Sequence, residues 1–160
     1  MNGIDIFKNK PVRFVAFIGP LLKKVIILEG DIIYNAGEYA NEMYLIRSGE
    51  VHLTIKEHNY FPFMIIAAGS YFGEVDLLFG EQRKYTTVAN TECELLVLSK
   101  KNFMKIFFNE FREIGAEVHM NALQRKHYHA EAYRKAKIYC ENLEKEDERH
   151  QYNYFEKFKS

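Results

Sequence analysis

The stretch "SYFGEVDLLFGEQRKYTTV", Ser70 to Val88, sets an acid and a base apart on one short segment: Glu74, directly after Gly73, and Arg83 nine residues on. Between them runs a short apolar stretch, Val75 to Phe79, closed by Gly80. Gly73 frees the backbone and lets a ligand come close. Gly80 can cap a short helix starting at Glu74. The start of that helix offers unpaired N–H groups and a partial positive charge to an anion. A guanidinium such as that of Arg83 is the preferred side-chain partner of a phosphate. A carboxylate such as that of Glu74 can accept hydrogen bonds from sugar hydroxyls. An acid for a ribose and an arginine for a phosphate suit a nucleotide whose phosphate lies close to its own sugar.

These two groups need a scaffold, and the chain has room for one. Its 160 residues suit a single domain with a helical appendage, and 48% of them are hydrophobic. Lysine and arginine number 22, and so do aspartate and glutamate. That zero balance argues against a nucleic-acid binder, which carries a basic excess. Cys93 and Cys140 are far apart in the chain, so a structural disulfide is not expected and a reducing compartment is. The opening "MNGIDIFKNK" lacks the apolar core of a signal peptide. No apolar run, "VIIL" at Val25 to Leu28 among them, approaches the length that spans a membrane.

Periodicity divides the chain in three. Residues 1–24 read as a helical segment: Phe14, Phe17, Ile18, Leu21 and Leu22 recur on one helix face. Pro11 suits its first turn, and Pro20 should end or kink it. From Val25 to Ser99 short apolar runs alternate with glycines, and "VHLTIKEH" has the two-residue period of a half-buried strand. Seven or more such strands predict an antiparallel roll, barrel or sandwich, mainly β with flanking α. The runs read as strands include "RKYTTVA", and in a regular strand Tyr85 shares a face with Arg83. After Ser99, a plausible N-cap, two helices are expected. The second should start near Asn109 or Glu110 and carry a stripe of Phe111, Ile114, Val118 and then Ala122 or Leu123. Beyond Arg125 the sequence is mostly charged, so residues 126–160 read as a helical extension that does not dock on the domain.

The wording of these segments resembles the cyclic-nucleotide-binding domain over about residues 10 to 125. "EGDIIYNAGEYANEMYLIRSGEV", Glu29 to Val51, supplies glycines 30, 37 and 49 with Met43, Tyr44 and Ile46 between. "FGEVDLLFGEQRKYTTV" is similar to the family's phosphate-binding cassette. "IDIFKN" and "EGDIIYNAGEYANEMY" look most like the cytoplasmic domains of cyclic-nucleotide-gated and related voltage-gated cation channels. The resemblance implies an eight-stranded β-roll over residues 25–125, with a cassette helix, a following helix and the start of a long closing helix. It implies that Glu74 and the Gly73 backbone hold the ribose 2′-hydroxyl, that Arg83 holds the cyclic phosphate, and that the last helix closes over the base. The ligand-binding set expected on this basis is Phe72, Gly73, Glu74 and Val75; then Arg83, Lys84, Tyr85 and Thr86; and from the last helix Arg125 and Tyr128, with His129 a further candidate. No cofactor is implied beyond the ligand. Expected partners are the rest of a membrane channel or transporter and a second copy through the last helix, with no nucleic acid and no direct membrane insertion. The expected place is the cytoplasmic face of a membrane, or the cytoplasm if the chain is complete.

The sequence departs from the family pattern around the arginine. Lys84 and Tyr85 follow it where small or hydroxylated residues are usual, and Tyr85 can line the pocket or fill it. Lys84 stands where cGMP-preferring members often have threonine, which favours cAMP over cGMP. Glu81 can pair with Arg83 and compete with phosphate. Of Thr86 and Thr87, only one should face inward. These features leave an alternative: the same fold without a ligand, its pocket filled by its own side chains, acting as a structural interaction module. The histidines do not converge at metal-ligand spacing, and no nucleophile–base pattern marks an enzyme. Only about 35 residues follow Arg125, with no glycine-containing turn, which excludes a helix-turn-helix.

Overall fold

In a computed structural model, residues 3–157 are described. Eight strands form two four-stranded antiparallel sheets. One sheet has the order β1 (Lys23–Ile27), β8 (Cys93–Ser99), β3 (Glu42–Ser48), β6 (Tyr71–Phe72). The other has β2 (Ile32–Tyr34), β7 (Thr86–Ala89), β4 (Glu50–Ile55), β5 (Phe61–Ala67). This is the expected antiparallel β-roll with flanking helices.

Strands β3 and β8 are covered on both faces, which is why they read as nearly unbroken apolar runs. Tyr44, Ile46, Cys93 and Leu95 face the opposite sheet and meet Val51, Leu53 and Ile66 in the roll interior. Met43, Leu45, Leu96 and Leu98 point the other way, into a second cluster with Phe14, Ile18, Phe103, Ile106 and Phe107. That second cluster seats the helices, and through them the long closing helix.

The N-terminal segment is not one helix. A 3₁₀ turn at Asp5–Phe7 precedes α1 (Val12–Ile18), a second 3₁₀ turn follows at Gly19–Leu21, and Lys23 already belongs to β1. Asn9 adopts a left-handed conformation (φ 59°) and Pro11 sits at the N-cap, so the chain cannot continue helically from one turn to the next. The expected stripe nonetheless holds: Phe14 and Ile18 are fully buried, while Phe17, Leu21 and Leu22 pack at the margin. Residues 1 and 2 of this segment lie outside the described residues.

On the C-terminal side, the Ser99 hydroxyl accepts a hydrogen bond from the Asn102 amide and caps α3 (Lys100–Met104). A wide π-type turn, Lys105–Glu110, leads to α4 (Arg112–Glu156), so the long helix starts slightly later than expected. Gly115 lets α4 lie against that turn. A Cβ at this position would overlap the Phe107 carbonyl. On the expected stripe, Ala122 is buried and Leu123 is 46% exposed.

The charged remainder of α4 does dock, contrary to the sequence expectation. Tyr133 packs edge-on against Phe63, with ring centroids 5.5 Å apart, and Tyr139 meets Phe61 at 5.8 Å. His58 and Glu144 approach to 2.6 Å, and Cys140 is buried. The β4–β5 hairpin supplies these contacts by running alongside the helix. A partner so distant in the chain leaves no mark in the helix's own periodicity.

Gly115→Ala should force α4 off the Phe107 carbonyl and cost ~1–3 kcal/mol of stability, the range of an overpacked core. Chemical denaturation checks this; an unchanged midpoint would show that the close approach is not required.

Candidate functional site

Arg83 is held from both sides. The turn at 37–39 pairs with its main chain: Gly37 N–H donates to the Arg83 carbonyl at 2.7 Å, and Arg83 N–H donates to the Glu38 carbonyl at 2.8 Å. The segment before β7 is therefore not a regular strand, which starts only at Thr86. The Arg83 guanidinium turns inward and the residue is 3% exposed. It donates to the Gly73 carbonyl at 2.6 Å and to the Glu42 carbonyl. It also reaches Asp76 Oδ2 at 3.4 Å and stacks 4.1 Å from the Tyr34 ring centre. Gly73 makes this convergence possible. Its φ of 86° suits glycine, and a Cβ there would stand 3.1 Å from Arg83 Nη1.

Glu74 opens α2 (Glu74–Phe79) and is 1% exposed. Its Oε1 accepts from Arg125 Nη1 at 2.5 Å, while Oε2 has no hydrogen-bond partner among the described residues. Arg125 also donates to the Tyr71 carbonyl at 2.7 Å and lies over the Tyr71 ring. Burial pushes the Glu74 carboxyl up, against the pull of Arg125. Burial likewise raises Asp76, opposed by Arg83. The Tyr34 hydroxyl is pushed up to about 12, again by burial. Each is a group whose charged form is costly away from water.

Between these groups lies a cavity of about 30 Å³. It has room for water but not for a ligand the size of a nucleotide. Phe72, Gly73, Glu74, Val75, Lys84 and Tyr85 line it, and Arg83 and Arg125 bond to its wall. Thr86 is buried in β7, its hydroxyl accepting from the Ala36 amide at 3.1 Å, and it does not line the cavity. Thr87 is buried as well; as neighbours on β7 the two side chains point to opposite faces. Tyr128 is 65% exposed and points away; one residue on, His129 lines the cavity. On a helix, His129 is four positions from Arg125 and shares its face, whereas Tyr128 is rotated off it.

One further expectation is corrected, and the open alternative for Tyr85 is decided. Glu81 does not pair with Arg83: it bridges Lys84 at 3.0 Å and Lys126 at 2.9 Å at the rim. Asp76 takes that place instead, from within the run read as apolar. Tyr85 borders the cavity but does not fill it, since its ring packs against Phe63 and Tyr133 at 4.8 and 5.2 Å. Sequence reasoning missed Asp76, Lys126 and Tyr34. The first two carried a signal: Asp76 is an acid inside a buried helix, and Lys126 adjoins Arg125. Tyr34 carried none, because only the folding of β2 onto β7 brings it under the arginine. No group of residues among those described is arranged to hold a metal. No helix among the described residues is long and apolar enough to cross a membrane.

Residues 24–110 match the family described as "Cyclic nucleotide-binding domain". The human cyclic nucleotide-gated channel beta-3 is 34% identical over 109 residues, which are 66% of this chain and 14% of the channel. A cyclic nucleotide-gated potassium channel of Rhizobium etli is 31% identical over 124 residues, 78% of this chain and 34% of the channel. The chain thus spans a minor part of the length of either relative. In fold, it is similar to the Thermus thermophilus catabolite activator protein, with a TM-score of 0.66 at 23% identity over 79% of this chain and 59% of the other.

His129 gives the closed site a pH signature. Burial, reinforced by the neighbouring Arg125, lowers its pKa to about 4 from 6.5. Below pH ~6.5 the unfolded chain takes up a proton that the folded chain refuses until about pH 4. The contribution to stability is complete above that range and is lost as pH falls through it. His129→Gln removes this titration. Wild-type stability should fall relative to the variant by up to ~1 kcal/mol per pH unit between pH 6.5 and 5. Thermal unfolding of both proteins checks this, and parallel pH curves would refute it.

Proposed function

The chain belongs to the family of cyclic nucleotide-binding domains, and we propose that it senses cAMP in preference to cGMP and passes the bound state on through α4. The observation that carries this is a pair at one cavity: a buried carboxylate with an unpartnered oxygen, Glu74, that lines it, and a buried guanidinium, Arg83, bonded to its wall at Gly73. Glu74 and the Gly73 backbone take the ribose hydroxyl, and Arg83 takes the cyclic phosphate. Lys84 after the arginine, in place of threonine, favours cAMP. Arg125, Lys126 and His129 form the lid from α4.

Closure by α4 leaves space only for water, so a nucleotide requires the helix to lift. The ribose hydroxyl then competes with Arg125 for Glu74. Ligand affinity and helix position are thereby coupled, and a neighbouring part of the protein reads the shift in population. The role is regulatory and not catalytic. The relatives named as cyclic nucleotide-gated channels support a place on the cytoplasmic face of a membrane as part of a cation channel, a potassium channel among them. The exposed face of α4 is available to a second copy. One observation favours a second reading, a ligand-free interaction module: the chain's own Asp76 and Arg125 already pair with Arg83 and Glu74.

Calorimetric titration with cAMP and cGMP separates the two readings; absence of heat with both favours the module. Arg83→Ala should weaken cAMP binding by at least ~2 kcal/mol, the loss of a charged partner for a desolvated phosphate. The same variant should also melt at a lower temperature, because Arg83 ties Gly73 and Glu42 together. Unchanged affinity in a folded variant would remove the phosphate from this site. Amide exchange should report ligand-dependent protection over residues 120–130. Equal exchange with and without nucleotide would remove α4 from the coupling.

A further inference from the structure

The site holds an acid that the phosphate assignment does not use. Asp76 lies two residues after Glu74 on α2, borders the cavity, is 8% exposed, and sits 3.4 Å from the guanidinium of Arg83. It is the one side-chain anion paired with Arg83 among the described residues. The other acceptors of that guanidinium are main-chain carbonyls. A ligand phosphate placed on Arg83 would therefore approach a carboxylate already in contact with the same cation. Two anions sharing one partner in a desolvated pocket repel each other.

The surrounding charges fix what kind of anion can be accepted. Lys84 and Lys126 border the cavity, and Arg83 and Arg125 bond to its wall. Against these four cations stand three carboxylates: Glu74, Asp76 and Glu81, the last bridging the two lysines. The surplus is one positive charge. A cyclic phosphodiester carries one negative charge, whereas a phosphomonoester carries nearly two at neutral pH.

Resting on the proposed phosphate site, we propose that Asp76 is a specificity-determining residue: an internal anion that limits affinity and selects a singly charged cyclic phosphate over a doubly charged phosphomonoester. Its carboxylate competes for Arg83 with every phosphate ligand, and competes hardest with the more highly charged one. Lys84, close enough to act on Asp76 electrostatically, compensates part of the cost when a phosphate arrives.

The test uses the full chain and two variants, Asp76→Asn, which keeps the shape, and Asp76→Ser, which also removes the amide. Each is titrated calorimetrically with cAMP and with 5′-AMP, after circular dichroism has confirmed folding. The expected result is cAMP binding about tenfold tighter in both variants, equivalent to ~1.4 kcal/mol, with a larger gain for 5′-AMP. The ratio of cAMP to 5′-AMP affinity then falls. Unchanged or weaker cAMP binding in both folded variants, or equal gains for the two ligands, would overturn the role of Asp76 while leaving the nucleotide site in place. Failure of wild type and both variants to bind either ligand would overturn the nucleotide site and this proposal together.

Discussion

A cation buried in the wall of a β-roll must be given partners, and that requirement organises this domain. Arg83 cannot be taken out of water alone. Its main chain is pinned by the turn at 37–39, its side chain by the carbonyls of Gly73 and Glu42, and its flat face by Tyr34. These contacts draw β2, β3 and the start of α2 toward one point. Gly73 suits this place twice over: its φ of 86° favours glycine, and a Cβ would crowd the guanidinium at 3.1 Å. The arginine is therefore a structural member of the roll before it meets any ligand.

The same rule applied to Glu74 places the helix. A carboxylate 1% exposed needs a cation, and the nearest source is Arg125 on α4, fifty-one positions along the chain. That pair is the buried polar link between the cassette and the closing helix, with Glu81–Lys126 a second at the rim. The apolar links lie on either side of it: Val118 and Ala122 toward the helix start, Tyr133 and Tyr139 toward the end. Apolar contacts of this kind tolerate sliding and rotation better than a buried ion pair does. In the proposed coupling, release of this ion pair frees α4 to lift, while the aromatic contacts with the β4–β5 hairpin hold the distal helix.

What the sequence disclosed follows from how far each signal reaches. Alternation and glycine turns disclosed the roll, since strand period is a local property and both sheets repeat it. Ser99 disclosed its cap, and the stripe from Phe111 to Val118 disclosed the docking of the first turns of α4. Three things stayed hidden. The break of the first helix depended on Asn9 adopting a left-handed conformation, which its residue type permits but does not require. The docking of residues beyond Tyr128 depended on a hairpin more than sixty positions earlier. The acid beside Arg83 stood in plain view as Asp76, yet the run Val75 to Phe79, with one polar position among four apolar ones, reads as apolar unless its burial is known. Local chemistry was legible; the pairing of charges across the fold was not.

Because every charged group described at the site already has a partner, with one Glu74 oxygen left open, a ligand adds little and exchanges much. A nucleotide would bring a phosphate to an arginine that has a carboxylate and carbonyls, and hydroxyls to a glutamate that has an arginine. The free energy of binding is then the difference between two sets of satisfied hydrogen bonds, each gross interaction being several times larger than the net. Such a site binds less tightly than its list of contacts suggests. On the proposed reading it converts binding into movement: Arg125, displaced from Glu74, takes up water or a new partner as α4 shifts. A site with open, unpaired groups would bind more strongly and move nothing.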